Sequence, residues 1–150
     1  MTDAESAPTR IVVVGAGMVA HRFVESLLAR SEAAVQVHLL GDEGRHPYDR
    51  VGLTGYFAGK TADDLELDRG VFEDPRVEVV ADDRVLRIDR TRKTVTTRSR
   101  REFAYDRLVL ATGSYAARVA VDGADLPGCF VYRTIDDVRD LRAFVARRSA

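Results

Sequence analysis

The 150-residue chain has the length of one ordinary domain, enough to bury roughly 68–70 % of the surface its unfolded form exposes. With 45 % apolar residues, 31 % charged residues and a net charge of −1, it reads as globular, with no electrostatic reason to expect nucleic acid or an anionic membrane as partner. The single cysteine, Cys129, excludes an internal disulfide and a multi-cysteine metal cluster, and is expected as a small buried or half-buried side chain. No apolar run approaches the ~20 residues that span a bilayer, and residues 1–9 form a polar tail without a signal-peptide core, so the expected location is cytoplasmic.

Ile11, Val12, Val13 and Val14 form a continuous β-branched run, as suits a strand covered on both faces in a parallel sheet. The run breaks at Gly15, Ala16 and Gly17. Apolar residues then recur with helical spacing at Val19, Ala20, Phe23, Val24, Leu27 and Leu28, with Arg22, Glu25, Ser26 and Arg30 facing outward. Strand, glycine turn and helix in this order build a phosphate site. Gly15 permits the tight turn and Gly17 lets backbone approach a pyrophosphate, while the helix start offers unpaired N–H groups and the positive end of its dipole. The sixth position of the fingerprint is Ala20, still small enough for close helix–strand packing. The plain alternative is a strand–turn–helix junction that binds nothing.

Residues 35–40 predict a second strand, parallel to the first through a right-handed crossover and stopped at Gly41. His38 falls opposite Val37 and Leu39 and is expected to have no chemical duty. An acidic residue at the end of this strand accepts ribose hydroxyls in the fingerprint. Asp42 is the first candidate and Glu43 the second, the alternative being an ordinary acidic turn. Three glycines and two aromatics over residues 51–60 predict an irregular or short-helical segment. By composition alone Arg50 is a surface charge, and Tyr48 and Tyr56 are packing residues.

From residue 77 the hydrophobic period becomes two. Short strands are expected at residues 77–80, 84–88, 94–97 and 102–105, three of them forming an antiparallel meander. Such an insertion departs from the simple βαβ repeat and points to a flavin-binding variant of the doubly wound fold. Leu108, Val109 and Leu110 predict a buried parallel strand, leaving through Ala111, Thr112 and Gly113, small residues at the strand end where open α/β sheets bind ligands. A last short strand is expected over 127–132. Thr134 then caps a helix from Ile135, with Asp136 and Asp137 in its first turn and Val138, Leu141, Phe144 and Val145 as its apolar stripe.

These segments together resemble the pyridine nucleotide-disulfide oxidoreductases, flavoproteins with two dinucleotide-binding domains. Three stretches carry the likeness: residues 12–23, residues 105–114 and the interposed meander. Residues 17–23, 48–61, 108–115, 123–128 and 132–137 are similar, within that superfamily, to the N-terminal FAD-binding part of nitrite reductase large subunits. The resemblance implies that the ligand is FAD. It implies that Gly15, Ala16, Gly17, Met18 and Val19 cradle the pyrophosphate, that Asp42 or Glu43 holds the adenosine ribose, and that Val85 meets adenine through its backbone. It also implies that Arg50 lies near the phosphates or flavin, that Ala111, Thr112 and Gly113 form the second FAD motif, and that Arg133 contributes. Two departures stand out. Related ferredoxin reductases carry a lysine near the flavin where this chain has Leu53, Thr54 and Gly55, and their proline-rich stretch after the second motif is Ala116, Ala117, Arg118, Val119 and Ala120 here.

The expected fold is thus a partial doubly wound, Rossmann-like α/β FAD-binding domain with an inserted antiparallel β-meander. Residues 10–150 are its N-terminal portion, and the NAD(P)H domain is expected to be missing, the chain being a fragment. By resemblance, the whole enzyme passes a hydride from NAD(P)H to FAD and electrons onward to an iron–sulfur cluster and siroheme that reduce nitrite. The missing C-terminal domains and a small nitrite reductase subunit are its implied partners. The other readings are a truncated flavin-dependent ferredoxin or rubredoxin reductase and a non-catalytic nucleotide-binding module. No catalytic acid or base is nominated, because the cofactor performs the redox step.

Overall fold

A computed structural model of the protein describes residues 7–117 and 119–148. Most of the expected polar tail, residues 1–6, and Arg118 lie outside the described residues. Two compact units are present: Met1–Pro47 with Leu67–Gly113, and Tyr48–Glu66 with Ser114–Ala150.

The first unit contains β1 (Thr9–Val14), α1 (Met18–Arg30), β2 (Val35–Leu40), α2 (Gly70–Glu73), β3 (Val77–Val80), β4 (Val85–Asp89), β5 (Thr94–Thr97), β6 (Glu102–Ala104) and β7 (Arg107–Leu110). A parallel sheet runs in the order β3-β2-β1-β7, and β4-β5-β6 form a separate antiparallel meander. This is the partial doubly wound fold with an inserted meander that the sequence predicts. Alternation along β1 explains its unbroken apolar run. Ile11 and Val13 join Val37 and Leu39 against Ala20, Val24 and Val71 of the helices. Val12 and Val14 join Leu40 and Val80 against Val95, Phe103 and Tyr105 of the meander side. Both faces of β1 are covered, so neither tolerates a polar residue there, whereas β7 is less enclosed than the sequence predicts, with Leu110 exposed.

Polar contacts fasten the meander. The buried Asp83 donates its N–H to Gly41 O at 2.8 Å, and its carboxylate accepts from Ser99 N at 3.0 Å and Ser99 Oγ at 2.5 Å. The Ser99 hydroxyl bond is the main reason that the Asp83 carboxyl sits below its ordinary pKa. His38 Nδ1 lies 3.1 Å from Glu78 Oε2, at ion-pair distance without an aligned hydrogen bond, and its ring packs 5.2 Å from that of Phe103. The neighbouring strands β1 and β7 are joined beyond their ladder: Arg10 reaches both carboxylate oxygens of Asp106, and Asp106 N–H returns to Arg10 O at 2.8 Å.

In the second unit, a 3-10 helix at Val51–Ala58, a 3-10 turn at Asp63–Leu65 and α3 (Ile135–Arg148) surround a small core of Tyr48, Leu53, Tyr56, Leu65, Ile135 and Val138. The expected strand over 127–132 does not form. Gly128 sits at φ 108°, Cys129 N–H closes a turn onto Leu126 O, and the segment has no strand partner among the described residues. Cys129 is exposed, not buried, because that turn carries it outward. Val145 is also exposed, so the stripe of α3 is narrower than its sequence suggests. None of the described helices is long and apolar enough to cross a membrane.

Candidate cofactor-binding site

The carboxyl ends of β1, β2 and β7 bring three of the expected segments to one edge of the sheet. Hydrogen bonds from Gly15 N to Leu40 O and from Ala111 N to Val14 O, both 2.8 Å, carry the pairing one residue beyond the strands. Gly15 has φ 105°, and a Cβ built there would lie 2.2 Å from Ala111 O and 2.9 Å from Thr112 N. Only glycine satisfies both the dihedral and the contact. The first and second motifs are therefore locked together backbone against backbone. Gly41 performs the same service for Ala16, since a Cβ on Gly41 would lie 2.7 Å from the Ala16 Cβ.

Gly17 differs from both. Its φ is −105°, and nothing lies within 4 Å of the point where its Cβ would be. It is the N-cap of α1, makes no side-chain capping bond, and the first turn contains no acidic residue. The helix thus begins with open N–H groups, a positive dipole end and clear space beside its backbone, as an anion requires. Met18 and Val19 are exposed beside it. Val19 was expected in the buried stripe but is 72 % exposed, because the first turn lies at the glycine turn and not over the sheet. Thr112 and Gly113 are exposed and Ala111 half-buried, Gly113 with φ 66°. A half-buried glycine turn with open space beside Gly17, small residues opposite it and an uncapped helix start fit the pyrophosphate of a dinucleotide such as FAD.

Asp42, exposed, and Glu43, half-buried, follow β2 at this same edge. Glu43 O accepts from Asp82 N at 3.1 Å. Val85 opens β4 two residues after Asp83, whose N–H is bound to Gly41, which ties the start of that strand to the end of β2. Gly41, read from the sequence only as a strand stop, and Asp83 and Ser99, which the sequence does not single out, brace this edge. Gly41 had a signal, a glycine where a strand stops. Asp83 and Ser99 belong to no motif, and their 16-residue separation discloses nothing before the meander is folded.

Arg50 and Arg133 belong to the second unit, where they are neighbours: Arg50 Nη1 donates to Arg133 O at 3.2 Å and to Tyr48 Oη at 3.2 Å. The Arg133 guanidinium lies 5.6 Å from the ring centroid of Tyr115. Gly55, in the region where related ferredoxin reductases carry a lysine, is crossed by the side chain of Lys60. A Cβ on Gly55 would be 2.6 Å from Lys60 Cδ.

The family described as pyridine nucleotide-disulphide oxidoreductase matches residues 9–148. The nitrite reductase (NADH) large subunit of Escherichia coli (strain K12) is 41 % identical over 142 residues, covering 93 % of this chain and 17 % of that protein. The nitrite reductase [NAD(P)H] large subunit of Klebsiella oxytoca is 42 % identical over 142 residues, covering 92 % and 15 % respectively. Among solved structures, the ferredoxin reductase for the CYP199A2 system from Rhodopseudomonas palustris is similar with a TM-score of 0.79 at 28 % identity, over 92 % of this chain and 34 % of that one. The chain therefore spans less than a fifth of the length of these nitrite reductase relatives.

Proposed function

The chain belongs to the pyridine nucleotide-disulphide oxidoreductase family, and from that premise we propose that it is the FAD-binding segment of an NAD(P)H-dependent oxidoreductase of the nitrite reductase type. Residues 10–150 are read as the N-terminal portion of the FAD domain. Gly15, Ala16, Gly17, Met18 and Val19 would hold the pyrophosphate through backbone N–H groups. Asp42 or Glu43 would accept the ribose hydroxyls, the Val85 backbone would meet adenine, and Ala111, Thr112 and Gly113 would admit the cofactor closely. Arg50 and Arg133 would supply positive charge. The observation that carries this reading is the contrast within one turn: Gly15 is closed over by Ala111, while Gly17 opens onto empty space at an uncapped helix start.

When bound, FAD would supply the redox chemistry, taking a hydride from NAD(P)H and releasing electrons onward. The protein's residues bind and orient, and no side chain is required as acid or base. The parent protein is read as a cytoplasmic enzyme of nitrogen assimilation. An iron–sulfur cluster, siroheme, the NAD(P)H site and a small partner subunit belong to parts outside these residues. The likeness to nitrite reductases at about 40 % identity favours nitrite over ferredoxin as the terminal acceptor.

Titrating the 150-residue chain with FAD, followed by flavin fluorescence, tests the binding. The expected result is weak saturable binding without NAD(P)H oxidation. A chain that leaves flavin fluorescence unchanged at millimolar FAD would sink the reading. Assaying the full-length parent with nitrite and with ferredoxin separates the two acceptors.

A further inference from the structure

Tyr48 occupies a singular position in the second unit. The residue is 4 % exposed, packed with Leu53, Tyr56, Leu65, Ile135 and Val138. Its hydroxyl nonetheless accepts two hydrogen bonds from residues distant from each other in sequence: Ile135 N at 3.3 Å, in the first turn of α3, and Arg50 Nη1 at 3.2 Å. The Arg50 guanidinium carbon also lies 5.0 Å from the centroid of the same ring, and Arg50 Nη1 reaches Arg133 O at 3.2 Å. The start of α3 is itself tied by hydrogen bonds. The N–H groups of Arg133 and Thr134 both donate to Asp137 Oδ2, at 2.9 and 2.7 Å, and Asp137 N returns to Thr134 Oγ1 at 3.2 Å.

Arg50 is thus held on two acceptors and one aromatic face, each attached to a fixed element. A long, rotamer-rich side chain normally loses its freedom only when a ligand binds. Here the folded chain has already restricted it. A phenylalanine at 48 would pack equally well but would leave both Ile135 N–H and Arg50 Nη1 without that oxygen.

We propose that Tyr48 is a positioning residue for FAD binding, its hydroxyl fixing the Arg50 guanidinium against the start of α3 before the cofactor arrives. This rests on the reading of Arg50 as a cofactor residue. Tyr48 acts through Arg50, and the hydroxyl, more than the ring, carries the effect.

The test is a double-mutant cycle on the whole chain, read as FAD affinity by fluorescence titration, with the melting temperature of each variant alongside. Arg50→Gln should weaken FAD binding about tenfold, in keeping with the loss of a charged contact, and Tyr48→Phe about three- to tenfold. In the double variant the loss should equal that of Arg50→Gln alone, because the hydroxyl then has no guanidinium to hold. Additive losses, or wild-type affinity in Tyr48→Phe, overturn the positioning role while leaving FAD binding intact. No FAD binding by the wild type overturns both. If Tyr48→Phe does not fold, Arg50→Lys reads the same point, since it keeps the charge but not the forked donor geometry. Affinity as low as that of Arg50→Gln supports positioning, and wild-type affinity overturns it.

Discussion

Two glycines separated by a single residue make the sharpest contrast in the molecule. Gly15→Ala forces a Cβ to 2.2 Å from a backbone oxygen at a φ of 105°, with no flexible side chain to yield. It should cost about 2–4 kcal/mol of stability, seen as a lowered denaturant midpoint. Gly17→Ala meets nothing within 4 Å and has an ordinary φ, so its stability should change by no more than about 0.5 kcal/mol. Its FAD affinity should nonetheless fall about tenfold, because the methyl would enter the open space proposed to receive the pyrophosphate. Equal melting behaviour of the two variants would contradict this assignment. A second residue-scale prediction concerns acid. The Arg10 guanidinium holds the Asp106 carboxyl down to about 2, chiefly through side-chain hydrogen bonds, and Arg76 does the same for Asp74. A carboxyl whose pKa is lowered by folding contributes stability above its unfolded value of about 3.9, and that contribution disappears as pH falls through the folded value. Melting temperature should therefore drop between about pH 4 and pH 2, and Asp106→Asn should flatten part of that limb. An unaltered slope in the variant would count against the pair.

At the scale of elements, the start of α3 and the meander offer separate tests. Thr134 and Asp137 exchange bonds across the first turn, so Thr134→Ala should cost about 1 kcal/mol in chemical denaturation. Val95 is fully buried between the meander and the parallel sheet, and Val95→Ala should cost about 1.5–3 kcal/mol. Much of this architecture was legible in the sequence because its periods are local. The unbroken run at 11–14 requires cover on both faces, and the period of two after residue 77 discloses the meander. The strand expected over 127–132 failed because apolar side chains are only half of a strand; without a neighbouring backbone, Gly128 turned the segment instead. Val19 and Val145 misled in the same way, since helical period names a face but not how far the covering sheet extends. The placement of the glycine turn and of residues 111–113 at neighbouring strand ends was readable from type and order. The contacts of Tyr48 with Arg50 and Ile135, and of Asp83 with Ser99, exist only after distant segments meet.

For the whole molecule, the path of the chain matters as much as its contacts. Each compact unit is assembled from two separate stretches, so neither can be removed by a single cut. Ending the chain after Gly113 should leave Tyr48, Leu53, Tyr56 and Leu65 without Ile135 and Val138, their partners in the smaller core. Such a product should aggregate where the 150-residue chain remains soluble, measured by light scattering at equal concentration. That same core has a consequence in time. Residues 48–66 leave the ribosome about seventy residues ahead of Ile135, which at roughly 5–20 residues per second is a wait of some four to fourteen seconds. During translation the larger unit's early strands emerge with an unfinished loop of tyrosines and leucines still exposed. A chaperone that binds short aromatic segments would meet the nascent chain in that interval, and lose its grip once α3 has been synthesised.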